Sequence, residues 1–401
     1  MVKRTLITES DVRNAIRNGV KVIIVDDDPI ITPLAAGILS DHGIEIARSD
    51  SDSSIKSKEL GLRQIGNPDE TIDLAGRSKD FLLTLLRRMY RARLFEQAMS
   101  ILYREKQLIG FAHLAIGQEA LAVGAGAALD SQDYITISHR GHGQMIGRGS
   151  DIKKMAAELL GKVTGYCRGK GGSIHLVDLD NGVLGTAGIL GASIAIATGA
   201  AMSAKIRNSG QVALTFFGDG TSNQGAFHES LNYASLHNLP VIFLCENNMY
   251  ALSTGLDVSI ATGSIAKRGI AFDIPTCFID GNNVLLVYDI VKEAAELARS
   301  GGGPTLIEGL TYRHRGHHEG ETVDLRPESE KEAWQKRDPI KRLEKALVSN
   351  NIIPNDQMEA IRSSMTQEIA EAIRFALESP YPDPSEAKMH VLSNQGGLHH
   401  A

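Results

Sequence analysis

The sequence predicts an α/β protein: a largely parallel sheet flanked by helices, with a small α/β appendage at the N-terminus. Three observations carry this. First, the stretch from Val212 to Asn248 holds two apolar runs joined by one helix-like segment, the pattern of a βαβ unit. Second, both runs end in ligand-type residues, Gly218-Asp219-Gly220 and Glu246-Asn247-Asn248. Open α/β sheets bind ligands at the carboxyl ends of their strands, so these residues mark a site. Third, glycine is abundant at 40 of 401 residues, as expected where backbone must approach a ligand closely.

The elements follow in chain order. Thr8 to Asn18 reads as a helix with Thr8 as its N-cap, and Val22 to Val25 as a strand. Thr32-Pro33 opens a second helix, with Pro33 at the tolerated first position, and Gly43 closes it. The polar, serine-rich stretch Ser49 to Lys58 reads as a linker. The expected division is an appended domain over 1–47, a linker over 48–71 and the main domain over 72–401. Phe81 to Gln107 carries apolar residues at helical spacing (Leu82, Leu85, Leu86, Met89). A glycine-punctuated region from Gly110 to Gly199 precedes the βαβ unit. Pro304 to Leu310 reads as another strand, leading into the basic run Tyr312 to His318, and the chain from Glu328 onward reads as helical.

Composition narrows the function. Hydrophobic residues make up 42% and charged residues 22%, an ordinary globular balance. A net charge of −6 gives no reason to expect nucleic acid as a partner. No apolar run approaches the ~20 residues of a membrane span. The three cysteines form neither a metal spacing nor a disulfide framework. The first residues lack a signal-type apolar block and carry acids early, so the chain reads as cytoplasmic.

The spacing of Gly218-Asp219-Gly220 from Asn247-Asn248, across one helix, resembles the thiamine diphosphate motif. Beyond it, Gly110 to Leu114, Gly117 to Ala120, Ser138 to Gly143, Gly169 to His175 and Tyr312 to His317 together resemble one family: the α subunit of the E1 component of 2-oxo acid dehydrogenase complexes. The resemblance implies a set of roles. Asp219, Asn248 and the Tyr250 carbonyl would ligate Mg²⁺. Gly218, Gly220 and Thr221 would cradle the diphosphate with His139 and Arg140. Gly182 and Leu184 would contact the aminopyrimidine ring, with Ile189 supporting the bent cofactor. His113 and His317 would line the active site as catalytic residues, and His317 would also face the cofactor. The family often carries tyrosine where this chain has His139. As plain sequence, Arg140 on its polar turn reads rather as a surface charge, and a core histidine is a rival reading of His113.

The resemblance further implies cleavage of acetoin, or decarboxylation of a 2-oxo acid such as pyruvate, with transfer of a two-carbon unit to a lipoyl group on E2. His317-His318-Glu319-Gly320-Glu321 looks more like the acetoin-cleaving members, and His318 stands where regulated pyruvate members carry serine. The glutamate that activates the cofactor in the family has no counterpart in this single α/β body, which implies a β-type partner and an α2β2 heterotetramer. Two other readings stay open: a transketolase-like thiamine enzyme without lipoyl transfer, and a non-catalytic cofactor-binding assembly subunit.

Overall fold

The structure is a computed structural model and describes residues 6–7, 12, 16, 22–25, 29–42, 44–48, 62–108, 110–321 and 323–389. The chain divides into two compact units, residues 1–58 and 59–401.

In the first unit, β1 (Leu6–Ile7) pairs in parallel with β3 (Ile30–Ile31), and β2 (Val22–Val25) with β4 (Glu45–Arg48). Helix α1 (Pro33–His42) opens as its sequence dictates: the Thr32 hydroxyl accepts the Ala35 N–H, and Pro33 occupies the first turn. Ile7, Val12, Ala35, Leu39 and Ile44 form its small core. Apart from Val12 and Ile16, the expected helix over 8–18 lies outside the described residues, as do Gly43 and residues 49–61.

The second unit is built on a seven-stranded, wholly parallel sheet. Its strands are β5 (Leu62–Ile65), β6 (Tyr134–Ser138), β7 (Val183–Ala187), β8 (Ala213–Gly218), β9 (Val241–Asn247), β12 (Thr276–Asp280) and β13 (Thr305–Leu310), in the order β5-β12-β13-β9-β8-β6-β7. A short hairpin, β10 (Tyr250–Ala251) with β11 (Thr254–Gly255), follows β9. The linker expected over 48–71 is therefore too long at its C-terminal end. Leu62–Ile65 is an edge strand of the sheet, paired with β12. Its exposed central residues, Arg63 and Gln64, hide it in the sequence.

The central strands are buried on both faces, which is why they read as continuous apolar runs. Helix α2 (Lys79–Arg104) is capped by the Ser78 hydroxyl, which accepts the Phe81 N–H. Helices α3 (Glu119–Ala128), α4 (His142–Arg148), α5 (Ile152–Leu159), α6 (Ala192–Arg207), α7 (Gly225–Leu236) and α8 (Val284–Arg299) cover the sheet. The C-terminal helices α9 (Glu328–Lys336), α10 (Pro339–Ser349) and α11 (Asn355–Glu378) close the body. Trp334 of α9 stacks on Tyr312 at 5.5 Å, and Asp338 at the start of α10 shares the buried Arg93 guanidinium with Glu119. The first contact ties α9 to the segment that follows β13, and the second ties α10 to α2 and α3.

Phe216 and Leu244 lie fully buried in neighbouring strands of the main core. Phe216→Ala should lower unfolding stability by about 3–5 kcal/mol. A urea unfolding curve checks this, read as a lower midpoint at unchanged slope.

Candidate active site

Gly218-Asp219-Gly220 and Asn248 are brought together at the carboxyl edge of the sheet because β8 and β9 are neighbours in register, Gly218 beside Glu246. They line a cavity of about 350 Å³ with Ser138, His139, Arg140, Thr221, Tyr250, Arg313 and His317, among others. The direction of Gly218 in which a side chain would project is open space, which leaves the pocket floor free for a ligand. After Gly218 the chain turns directly into a 3₁₀ turn over Asp219–Asn223.

Asp219 is the decisive acid. It is 2% exposed, and its Oδ2 has no hydrogen-bond partner among the described residues. Burial pushes its carboxyl up to about 6, against the pull of the Gly220 N–H. Asn248 is oriented from both sides: its Nδ2 donates to Gln118 Oε1 at 3.2 Å, and its Oδ1 accepts the Tyr250 N–H at 3.4 Å. An unpartnered carboxylate oxygen beside an amide oxygen and a nearby backbone carbonyl is a donor set suited to a hard divalent cation.

Two buried guanidinium groups face this acid. Arg140, 5% exposed, donates to the carbonyls of Leu114 at 2.6 Å and His317 at 3.0 Å. Arg313, 2% exposed, donates to the carbonyls of Leu252 and Arg315. Among the described residues neither guanidinium forms an ion pair with a carboxylate. Desolvation and the neighbouring Arg313 push Arg140 down to about 9, so it remains cationic at neutral pH. Both guanidinium groups also face His317 Nδ1, at 3.5 and 3.3 Å. Two buried cations held only by neutral carbonyls and a neutral ring form a ready site for a multiply charged anion.

His113 packs edge to face on His139 and His317, with ring centroids 4.6 and 5.1 Å apart, and His139 and His317 lie tilted at 5.5 Å. Burial, followed by the Arg140 charge, pushes them down to about 3, 2 and 3 respectively. All three are therefore neutral imidazoles at physiological pH, each able to offer one donor and one acceptor. Among the described residues His113 Nδ1 and His139 Nε2 are without partners.

A family model described as dehydrogenase E1 component matches residues 87–385. The chain belongs to the dehydrogenase E1 component family. It is 41% identical over 319 residues to the alpha subunit of acetoin:2,6-dichlorophenolindophenol oxidoreductase of Bacillus subtilis (strain 168), covering 79% of this chain and 95% of the relative. It is 40% identical over 324 residues to the pyruvate dehydrogenase E1 component subunit alpha of Porphyra purpurea, covering 79% and 94%. The corresponding acetoin oxidoreductase subunit of Cupriavidus necator is 40% identical over 309 residues, covering 77% and 93%. The chain is thus an alpha-type E1 component, dependent on thiamine diphosphate. Among the described residues no helix is long and apolar enough to cross a membrane.

In this E1 component the cavity gathers His139, Arg140, Gly218, Asp219, Gly220, Thr221, Asn248, Tyr250 and His317, and His113 stands against His139 and His317. Gly182 and Leu184 are not brought there. In β7, Val183 pairs with Ile135 at the start of β6, and Ala187 with Ser138 at its end. Gly182 therefore sits at the opposite edge of the sheet, in a left-handed turn (φ 71°) against the Asp133 carbonyl. Leu184 lies near that same edge. The pocket end of β7 is instead Ala187 onward, and Leu190 lines the cavity beside the exposed Ile189.

Gln118 and Arg313 escape the sequence reading of the site, and Glu246 enters it only as a strand-end acid without a role of its own. Gln118 fixes the Asn248 amide; its only sequence signal is its place in Gly117-Gln118-Glu119. Glu246 is fully buried, accepts the Gln144 amide at 2.7 Å, and is pushed up to about 8 by desolvation. Arg313 read as one of several basic residues in a run, and only the fold buries it.

The Asp219 shift sets a pH prediction. Its raised value means that ionised Asp219 opposes folding of the cofactor-free protein. That cost is absent below about pH 4, where the carboxyl is protonated in both states, and is fully present above about pH 6. Asp219→Asn should therefore stabilise the cofactor-free protein at pH 7.5 by on the order of 1–3 kcal/mol. The gain should shrink toward pH 4, as thermal unfolding at the two pH values will show.

Proposed function

We propose that this chain is the α half of an α2β2 E1 enzyme that grips Mg²⁺–thiamine diphosphate by its diphosphate end. In this reading the enzyme cleaves the bond next to a carbonyl in a small ketone, acetoin before pyruvate, and delivers the two-carbon unit to a lipoyl group on E2. The observation that carries the reading is the convergence of Arg140, Arg313 and the unpartnered Asp219 oxygen in one buried pocket. Each is costly to bury alone, and a diphosphate with its metal ion answers all of them together.

Asp219, Asn248 and the Tyr250 carbonyl hold the metal. Arg140 and Arg313 take phosphate oxygens. Gly218 leaves room for the ligand, and Gly220 and Thr221 offer it the backbone. Thiamine diphosphate supplies, when bound, the reactive carbon and the electron sink for carbon–carbon cleavage. The residues of the chain do the rest. Neutral His113 and His317 hydrogen-bond the substrate oxygens and hold or release a proton there. Their neutrality suits an uncharged hydroxyketone, and His317-His318-Glu319-Gly320-Glu321 agrees with that choice. Leu190 and Ile189 give the cavity an apolar lip. The exposure of Ile189 and of Ile196 on α6, at 79% and 51%, supports a protein partner that covers this edge.

The chain alone should show no turnover, and the reconstituted α/β protein should reduce a dye acceptor with acetoin in preference to pyruvate. Turnover by the chain alone contradicts the heterotetramer; preference for pyruvate contradicts the substrate. In the reconstituted protein His317→Ala should lower kcat by about 10²–10⁴-fold. Unchanged turnover would instead favour a cofactor-binding subunit without a catalytic part.

A further inference from the structure

A second polar constellation lies behind the pocket, and no role in the chemistry accounts for it. Glu96 of α2, His142 at the start of α4 and Ser173 form a continuous buried chain. His142 Nδ1 stands 2.9 Å from Glu96 Oε2, and His142 Nε2 stands 2.9 Å from Ser173 Oγ. The three are 1%, 0% and 3% exposed. The order acid–histidine–serine is that of a nucleophilic triad, but the serine oxygen is sealed inside the protein and no substrate can reach it. The partners set the tautomer: Nδ1–H donates to the carboxylate, and Nε2 accepts the Ser173 hydroxyl.

What this chain holds is visible at its other end. Glu96 Oε1 accepts the Ala115 N–H at 2.8 Å. Ala115 follows His113 and Leu114, and the Leu114 carbonyl is the closest acceptor of the Arg140 guanidinium, at 2.6 Å. Residues 112–117 form no regular element, so their position depends on such contacts. On the far side they are held by the 312–319 segment, where the His314 N–H donates to Ile116 O and the Glu319 N–H to Ala112 O. Gly117, in a left-handed conformation (φ 102°), allows the Tyr312 carbonyl to approach where a Cβ would collide. From helix α2 the anchor is Glu96. Ser173 is fixed in turn by a second buried carboxylate, Glu158, which accepts the N–H groups of Cys167, Gly169, Gly171 and Gly172 just before it.

We infer that Glu96, His142 and Ser173 are positioning residues for the active site, setting the Arg140 guanidinium through the Leu114 carbonyl and the His113 ring through the 112–117 backbone. The inference rests on the proposed diphosphate role of Arg140. It explains why a carboxyl group stands inside the protein against one backbone N–H and one imidazole: its two oxygens hold both from one rigid fork. It also explains the His142 position, two residues after Arg140, so that one turn aims the arginine at the pocket and the histidine at the carboxylate.

The test uses the assembled α/β protein and measures thiamine diphosphate Kd in the presence of Mg²⁺, together with kcat at saturating cofactor. Glu96→Ala should raise Kd by about ten- to a hundredfold and lower kcat. Glu96→Gln, which keeps an acceptor for the Ala115 N–H, should recover most of both. If Glu96→Ala does not fold, Ser173→Ala gives the same reading in milder form, a Kd raised about three- to tenfold. A lowered unfolding temperature with wild-type Kd and kcat would mean a purely structural role and overturn the inference. Arg140→Met separates this from the parent reading. If Arg140→Met weakens cofactor binding but the Glu96 and Ser173 variants do not, the inference alone fails. If Arg140→Met binds as tightly as wild type, the diphosphate reading fails and takes the inference with it.

Discussion

The structure depends on one constraint: charges of both signs are buried in a single pocket without partners of their own. Arg140 and Arg313 lie almost wholly out of water and contact carbonyls, which carry no net charge. Asp219 lies equally deep, with one oxygen unpartnered among the described residues. Desolvation acts on both signs, pushing the carboxyl up and the guanidinium down. A chain selected only for stability would pair these groups directly or replace them with apolar ones. Here they are held apart, and this arrangement is what the proposal of a bound diphosphate with its metal ion rests on.

Holding unpaired charges apart requires rigid surroundings, and several distant segments supply them. The parallel sheet delivers Asp219 and the turn at Asn248 from adjacent strands in register. The segment after β13 delivers Arg313 and His317, pinned from below by the stacking of Trp334 on Tyr312. Arg93 bridges Glu119 and Asp338, so the helix that follows the Gly117 turn and the second C-terminal helix, α10, share one ion-paired node. The histidines then need no charge of their own. Burial, with the Arg140 charge beside them, keeps them neutral. The Nδ1 of His317 faces Arg140 and Arg313, which leaves its Nε2 side for substrate.

How much of this the sequence discloses follows from how local each feature is. The βαβ unit was legible because β8 and β9 are buried on both faces, and their ligand-bearing ends fall within one stretch of chain. Family membership was legible from several short motifs at once, and the match to residues 87–385 agrees with them. Gly182 and Leu184 misled because a glycine turn before a strand looks like a glycine turn after one; only the pairing of β7 with β6 decides which edge it occupies. Leu62–Ile65 was hidden in a polar stretch because an edge strand with exposed central residues lacks a buried-strand pattern. Gln118, Glu246 and the Glu96–His142–Ser173 chain have meaning only through partners tens of residues away.

The central claim is that this chain by itself forms the metal–diphosphate grip, and titration calorimetry of the full chain with inorganic diphosphate tests it most directly. The account predicts binding with Mg²⁺ present and little without it, because Asp219 and Asn248 need the metal to meet the anion. Binding of equal strength with and without Mg²⁺, or no binding under either condition, would contradict it.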